Sequence, residues 1–171
     1  MGIVLNTSVF LFLAVAVVSD IRAHRISNAL VLAGGLCALL INSWFYGFPG
    51  VLAWLMGLGA GLLLFLPFYA LAGMAAGDVK LMAMVGGFIG PSNVFWAAAF
   101  SLMVGSLLGL LILFYRKQLV RTLQRYWVIV SLKTYIEPAA TDAARQRFPY
   151  AIAILLGSLM SVCLNLSGAG A

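Results

Sequence analysis

Charge is scarce in this sequence. Only 8% of its 171 residues are charged, whereas a soluble domain carries roughly a quarter. The hydrophobic share is 64% and the mean hydropathy is +1.12, so the chain cannot cover a globular surface with polar groups. The sequence therefore excludes an ordinary soluble domain and predicts a membrane protein whose solvent is the lipid bilayer.

Patterns for metal, disulfide and nucleic acid binding are also missing. The cysteines Cys37 and Cys163 lie in apolar runs without any CxxC pair, and His24 is the single histidine. Neither a disulfide framework nor a zinc site is indicated, and we expect no metal and no other cofactor. The basic residues behind the net charge of +6 are scattered between apolar runs, whereas phosphate binding needs a dense stripe. We therefore expect no nucleic acid partner.

Long hydrophobic runs are abundant instead. About 20 helical residues cross the apolar core of a bilayer. Six runs qualify, near Ile3 to Ser19, Asn28 to Tyr46, Val51 to Ala72, Val79 to Gly90, Val94 to Tyr115 and Tyr150 to Leu166. The fourth is too short to cross unaided, so we expect it to be tilted, partly re-entrant or buried among its neighbours. The sequence predicts an all-α polytopic bundle of about six transmembrane helices, with residues 1–171 forming a single membrane-embedded domain.

The basic residues indicate the orientation of this bundle, because cytoplasmic loops carry the excess of Lys and Arg. They fall in three loops that share one side: Arg22 and Arg25, then Lys80, then seven between residues 116 and 147. The opposite loops, at residues 47–50 and 90–93, carry no charge. We therefore place both termini outside. The basic cytoplasmic loop near 116–148 is expected to contain an amphipathic helix lying on the lipid surface.

Glycine recurs at a helix-packing spacing, in Gly57-x-x-x-Gly61 and Gly105-x-x-x-Gly109. Small residues at this spacing let helices approach closely in lipid. Because such pairs are common in helix bundles, they indicate compact packing and leave the oligomeric state open.

Two of the four acidic residues stand at the ends of apolar runs: Asp20 ends the first and Asp78 opens the fourth, on the same side of the membrane. A close carboxylate pair suits aspartyl proteolysis, because one ionised group activates water while its protonated partner polarises the scissile carbonyl. Other roles are open at this point. Asp78 suits a helix cap and Asp20 a solvated boundary residue, and a small proton- or cation-coupled transporter or channel subunit also uses such carboxylates.

Three segments resemble motifs of the type IV prepilin peptidases. Asp20 to Asn28 is similar to the first-loop motif of that family, Gly73 to Leu81 to the second motif, and Phe148 to Ala153 to the start of the last span. The resemblance covers nearly the whole chain. It implies a GxGD-type aspartyl protease of the bacterial inner membrane, cutting the leader of pilin-like precursors at the cytoplasmic face, with Asp20 and Asp78 as the catalytic pair.

The same motifs contain the other expected site residues. Ala75 stands where the GxGD pattern has its first glycine, and Ser27 stands where a proline is frequent and can cap the second span instead. A Cβ at position 75 changes how closely substrate backbone can approach. The residues assigned to the motif or to substrate contact are Gly77, Ala75, Lys80, Arg22, Arg25 and Asn28.

The first loop is short, running only from about Asp20 to Ser27. Longer members of the family resemble a fusion with a methyltransferase loop bearing paired CxxC motifs, which this loop does not match. The sequence therefore predicts cleavage without N-methylation, as in the compact peptidases of tight-adherence, Flp-type pili. A non-catalytic pilus assembly factor is the remaining alternative.

Overall fold

The computed structural model describes residues 2–23, 25–71, 73–115 and 150–168, which fold into helices without any strand. The helices are α1 (Gly2–Ala23), α2 (Asn28–Ala70), α3 (Ala76–Tyr115) and α4 (Ala151–Gly168). By length and composition, α1, α2 and α3 can cross a membrane, which confirms the all-α membrane prediction. His24 and the predicted basic loop near 116–148 with its amphipathic helix lie outside the described residues.

Backbone contacts divide the chain into two units. The first comprises Met1–Val104 and Pro149–Ala171, and the second comprises Gly105–Phe148. Of the second unit, the structure describes the last part of α3. The candidate site belongs entirely to the first unit, and the single-domain organisation stays a prediction.

Helix α2 folds back on itself at one residue. Gly47 has φ 60° and ψ −138°, a conformation that glycine adopts readily because it lacks a Cβ. Beyond it, Trp54 Nε1 donates a hydrogen bond to the Gly35 carbonyl oxygen at 2.9 Å, although a straight helix would separate these residues by about 28 Å. Helix α2 therefore consists of two segments packed against each other, α2a (residues 28–46) and α2b (residues 48–70).

Helix α3 folds back in the same way at Gly90, where φ is 80° and ψ is 172°. Pro91 follows, and proline suits the first position of a helix because its missing N–H needs no partner there. A Cβ on Gly86 would lie 3.1 Å from Val94 Cγ2, whereas a straight helix would hold the two residues about 12 Å apart. The two segments are α3a (residues 76–89) and α3b (residues 91–115). The loops predicted at 47–50 and 90–93 are thus shorter than expected, with one non-helical glycine in each. A single residue is enough because the positive φ of the glycine lets the chain reverse its direction there.

Segment α3a lies at the centre of the described bundle. Every residue from Leu81 to Phe88 is buried. Its neighbours come from several helices: the rings of Phe12 and Phe88 lie 6.0 Å apart, and Asn42 Nδ2 donates to the Gly87 carbonyl oxygen at 3.2 Å. This short apolar run is thus buried among its neighbours, which is one of the three arrangements expected for it.

Glycine permits a close helix contact in this bundle. Gly57 lies against the backbone carbonyl of Gly86, and Gly61 against that of Met82, so a Cβ on either glycine would collide with backbone. The Gly57-x-x-x-Gly61 pair therefore packs α2b on α3a within one chain, as expected for small residues in lipid-embedded helices. For Gly109, in the second unit, no described atom other than its own chain neighbours and local helix backbone lies within 4 Å of a Cβ position.

The outer surface of the described helices is apolar. Large side chains such as Leu11, Leu40 and Met103 are exposed by 66%, 69% and 65%. In water, a continuous surface of this kind would drive association. In lipid it is the expected surface of a transmembrane bundle, because the solvent is equally apolar.

Candidate active site

Asp20 and Asp78 meet at one end of the bundle. Asp20 lies near the end of α1 and Asp78 in the first turn of α3a. Both are buried, with exposures of 7% and 6%. Carboxylates buried to this degree need hydrogen-bond partners, so the bonds of each oxygen define the site.

Asp78 is held by the backbone at the start of its own helix. Its Oδ2 accepts a hydrogen bond from the Ala75 N–H at 3.2 Å, and its own N–H donates to the Ala75 carbonyl oxygen at 3.1 Å. Because α3 begins at Ala76, Asp78 is the third helical residue and reaches back to the N-cap N–H, as in a capping box. The capping role considered for Asp78 is thus real. It occupies one oxygen, and Oδ1 has no hydrogen bond among the described residues.

Asp20 is held by a different helix. Its Oδ2 accepts a hydrogen bond from the Ala151 N–H at 3.2 Å. Ala151 is the first residue of α4, where backbone N–H groups have no partner within the helix and carry partial positive charge. The alternative of a solvated boundary residue is therefore wrong for Asp20, because its carboxylate is buried against the start of α4.

Tyr150 is a site residue that the sequence reasoning missed. Its hydroxyl donates to the Ser101 carbonyl oxygen at 3.1 Å, and its ring packs edge-on against Phe65 with centroids 6.1 Å apart. The residue that follows it, Ala151, donates the hydrogen bond to Asp20 Oδ2. The sequence signal for it was its place in the segment that resembles the start of the family's last span. Its contacts could not be predicted, because its partners are remote in sequence.

Lys80 and Asn28 form an exposed pair beside the aspartates. The Lys80 ammonium donates to Asn28 Oδ1 at 3.0 Å, which joins the N-terminal part of α3a to the first residue of α2a. The Lys80 ammonium group is thus held against α2a.

Residues of the first loop line the same end of the bundle. Ile26 packs against Gly77, where a Cβ would lie 3.3 Å from the Ile26 Cβ. Ser19 Oγ donates to the Arg25 carbonyl oxygen at 2.9 Å, which ties the loop to α1. Ser27 stands at the N-cap position of α2, but its side chain makes no cap hydrogen bond, so the predicted capping by this side chain is wrong.

The remaining motif residues are at the surface. Arg22, Arg25 and Ala75 are all exposed. They are therefore accessible to a substrate or to lipid headgroups, while Gly77 is partly covered. The structure thus brings Asp20, Asp78 and Gly77 together and leaves the arginines at the rim.

This geometry suits hydrolysis by a carboxylate pair. One oxygen of each aspartate accepts a hydrogen bond from a backbone N–H, and the two N–H groups lie at the starts of different helices. As a general rule, two carboxylates close together in a poorly hydrated site are not readily ionised together, which favours one shared proton. A water held between the remaining oxygens would face a base and an acid at once.

The model of the type IV leader peptidase family, Peptidase_A24, matches residues 7–114. The match spans more than half of the chain, begins in α1 and ends in α3b, and includes both aspartates. Neither a curated protein nor a solved structure gives a significant match to the chain.

Proposed function

We propose a function that starts from the family of this protein: the chain belongs to the type IV leader peptidase family. Its members are aspartic-type prepilin peptidases, so the protein is a protease. The proposal is that it removes the leader peptide of a pilin-like precursor, of the Flp type, at the cytoplasmic face of the bacterial inner membrane. The observation that carries the proposal is the pair of buried aspartates at one end of the bundle, each held by a backbone N–H at the start of a helix.

In the proposed mechanism, Asp20 and Asp78 share one proton. The ionised carboxylate removes a proton from water as its oxygen attacks the scissile carbonyl carbon, and the protonated carboxyl group transfers its proton to the carbonyl oxygen. When the tetrahedral intermediate collapses, the C–N bond breaks and the leaving amine takes up the proton held by the first carboxyl group. As the C=O bond forms again, the second carboxylate takes a proton back from a hydroxyl group of the intermediate. The pair returns to its singly protonated state, so no further co-reactant is required.

The position of the pair supports a cut beside a hydrophobic segment. A precursor with an apolar helix in the lipid presents the adjoining peptide bond at the membrane surface. Asp20 and Asp78 lie at helix ends, next to the exposed basic residues Arg22, Arg25 and Lys80. Since basic residues favour the cytoplasmic side, the proposed cut falls on that side of the precursor's apolar segment.

The direct test is cleavage by the purified protein in proteoliposomes, given a pilin-like precursor encoded beside it. The expected result is two fragments, with the cut on the cytoplasmic side of the precursor's hydrophobic segment as located by mass spectrometry. An intact precursor at equimolar enzyme would overturn the proposed substrate. Processing by the purified chain would also exclude the pilus assembly factor and transporter alternatives, neither of which cuts a peptide bond.

We further expect the mature product to keep a free, unmethylated N-terminus, because the short first loop has no paired CxxC motifs. Intact-mass measurement of the product formed in cells checks this expectation. A mass increase equal to one methyl group, lost when the gene for this chain is deleted, would contradict it.

A topology with six crossings and both termini outside is also proposed. The breaks at Gly47 and Gly90 support it, as do exposed aromatic residues beside them: Trp44, Phe48 and Trp96 are exposed by 86%, 78% and 55%. Aromatic side chains of this kind collect at membrane interfaces. Both breaks would then face outward, opposite the aspartates.

Cysteine labelling checks this topology in a background with Cys37→Ala and Cys163→Ala. With a membrane-impermeant thiol reagent on spheroplasts, Phe48→Cys and Ser92→Cys are expected to react, whereas Arg22→Cys should react only after permeabilisation. The reverse pattern would show that the orientation is wrong, and protection of all three in spheroplasts would refute the outward-facing breaks.

A further inference from the structure

We infer that Tyr150 is a positioning residue for the aspartate pair, a role that rests on the proposed aspartyl mechanism. Tyr150 stands immediately before α4, and its partners lie on α2b and α3b. Its carbonyl oxygen accepts the first hydrogen bond of α4, from the Ile154 N–H at 3.1 Å. It is therefore the N-cap residue, so its location sets where α4 begins.

The start of α4 in turn fixes one catalytic group. The Ala151 N–H, which belongs to the residue after Tyr150, is the donor to Asp20 Oδ2. The donor's position depends on the peptide bond that joins it to Tyr150. A displacement of Tyr150 would consequently move or break the hydrogen bond that holds the Asp20 carboxylate.

Two contacts prevent such a displacement. The Tyr150 hydroxyl is bonded to the carbonyl oxygen of Ser101, a fully buried residue whose Oγ donates in turn to the Ala97 carbonyl oxygen at 2.6 Å. The Tyr150 ring rests against Phe65, whose exposure is 0%. Anchors of this kind on two packed helices give the start of α4 a defined place in the bundle.

The segment against which the Tyr150 ring rests, α2b, also packs through Gly61 against the Met82 backbone of α3a, the segment that carries Asp78. Tyr150 is thus linked by its backbone to the group that holds Asp20 and by its side chain, through α2b, to the segment that carries Asp78. This is the geometry expected of a residue that sets the separation of two catalytic groups without contacting the substrate.

The test is Tyr150→Phe, which keeps the ring and removes the hydroxyl bond to Ser101. Losing one such hydrogen bond is expected to lower kcat about fivefold to tenfold with KM unchanged, because substrate binding does not use the hydroxyl. Tyr150→Leu, which also removes the contact with Phe65, should lower kcat by about a hundredfold. The matched control is Tyr46→Phe on α2a, whose side chain is 53% exposed and which should match wild type.

The assay is steady-state cleavage of the precursor in proteoliposomes, with each variant first checked for a single symmetric peak in size-exclusion chromatography. If Tyr150→Phe fails this check, Phe65→Leu replaces it and should likewise lower kcat alone. Wild-type kcat in Tyr150→Phe, or a change confined to KM, would overturn the positioning role. Asp20→Asn is measured alongside to separate the two ideas. If Asp20→Asn cleaves the precursor, the aspartyl mechanism itself is wrong. If Asp20→Asn is inactive but Tyr150→Phe has wild-type activity, only the positioning role is wrong.

Discussion

Asp78→Asn is expected to abolish leader cleavage while the protein still accumulates in the membrane. Asparagine has the shape of aspartate, and its side-chain oxygen can keep the hydrogen bond from the Ala75 N–H. It cannot exchange a proton with water, so the loss should reach about 10³-fold or more, within the range of general acid–base catalysis. Asp20→Asn should behave alike, because its amide oxygen can still accept from the Ala151 N–H.

The measurement is the processed fraction of a co-expressed precursor on an immunoblot, normalised to the amount of enzyme in the membrane. Glu137→Gln is the matched control, a carboxylate-to-amide change in the basic loop predicted from the sequence. It should process the precursor fully. Full processing by either aspartate variant would refute the dyad, and loss of the protein from the membrane would assign that aspartate a mainly structural role.

Gly57→Val is expected to prevent accumulation of folded protein. Gly57 lies against the carbonyl of Gly86, so the new side chain would meet backbone, which cannot change rotamer to make room. Overpacking in a core typically destabilises by about 1–3 kcal/mol, and we expect the upper end of that range or beyond. Since α3a carries Asp78, separating α2b from α3a would also disturb the active site.

Gly59→Val provides the matched control for this prediction. Gly59 lies on the same segment, and a Cβ there would have no neighbour within 4 Å. The two variants therefore add the same side chain to the same helix at different faces. Fluorescence-detected size-exclusion chromatography of detergent extracts, with heating, compares their yield and thermal stability. Equal behaviour of Gly57→Val and Gly59→Val would show that the contact between Gly57 and Gly86 is not decisive.

The alanine at position 75 is compatible with the geometry around Asp78. Ala75 serves Asp78 through its backbone N–H, a donor that every residue except proline supplies. Its side chain is exposed, so the extra methyl group lies where a substrate can meet it and leaves the internal bond intact. The alanine in place of the first GxGD glycine thus changes the surface that a substrate can contact, and it does not change the hydrogen bond that holds Asp78.

The sequence alone determined the membrane character, the helical class and the family motifs. Long apolar runs with few charges can satisfy their backbone groups only as helices in lipid, and this property is local. The breaks at Gly47 and Gly90 were also detectable, because glycine and proline mark places where a helix is interrupted. The aspartates at Asp20 and Asp78 stood out because ionisable groups are rare at the ends of apolar spans.

Only the tertiary structure decided how these parts meet. The bond between Asp20 and Ala151 joins residues 131 positions apart, and Tyr150 finds its partners at Phe65 and Ser101 on other segments. No hydrophobic period or motif spacing encodes such pairs, because they depend on how far each helix is rotated and shifted when it packs. The sequence determined which groups are present at the membrane surface, and packing decided which backbone N–H holds which carboxylate.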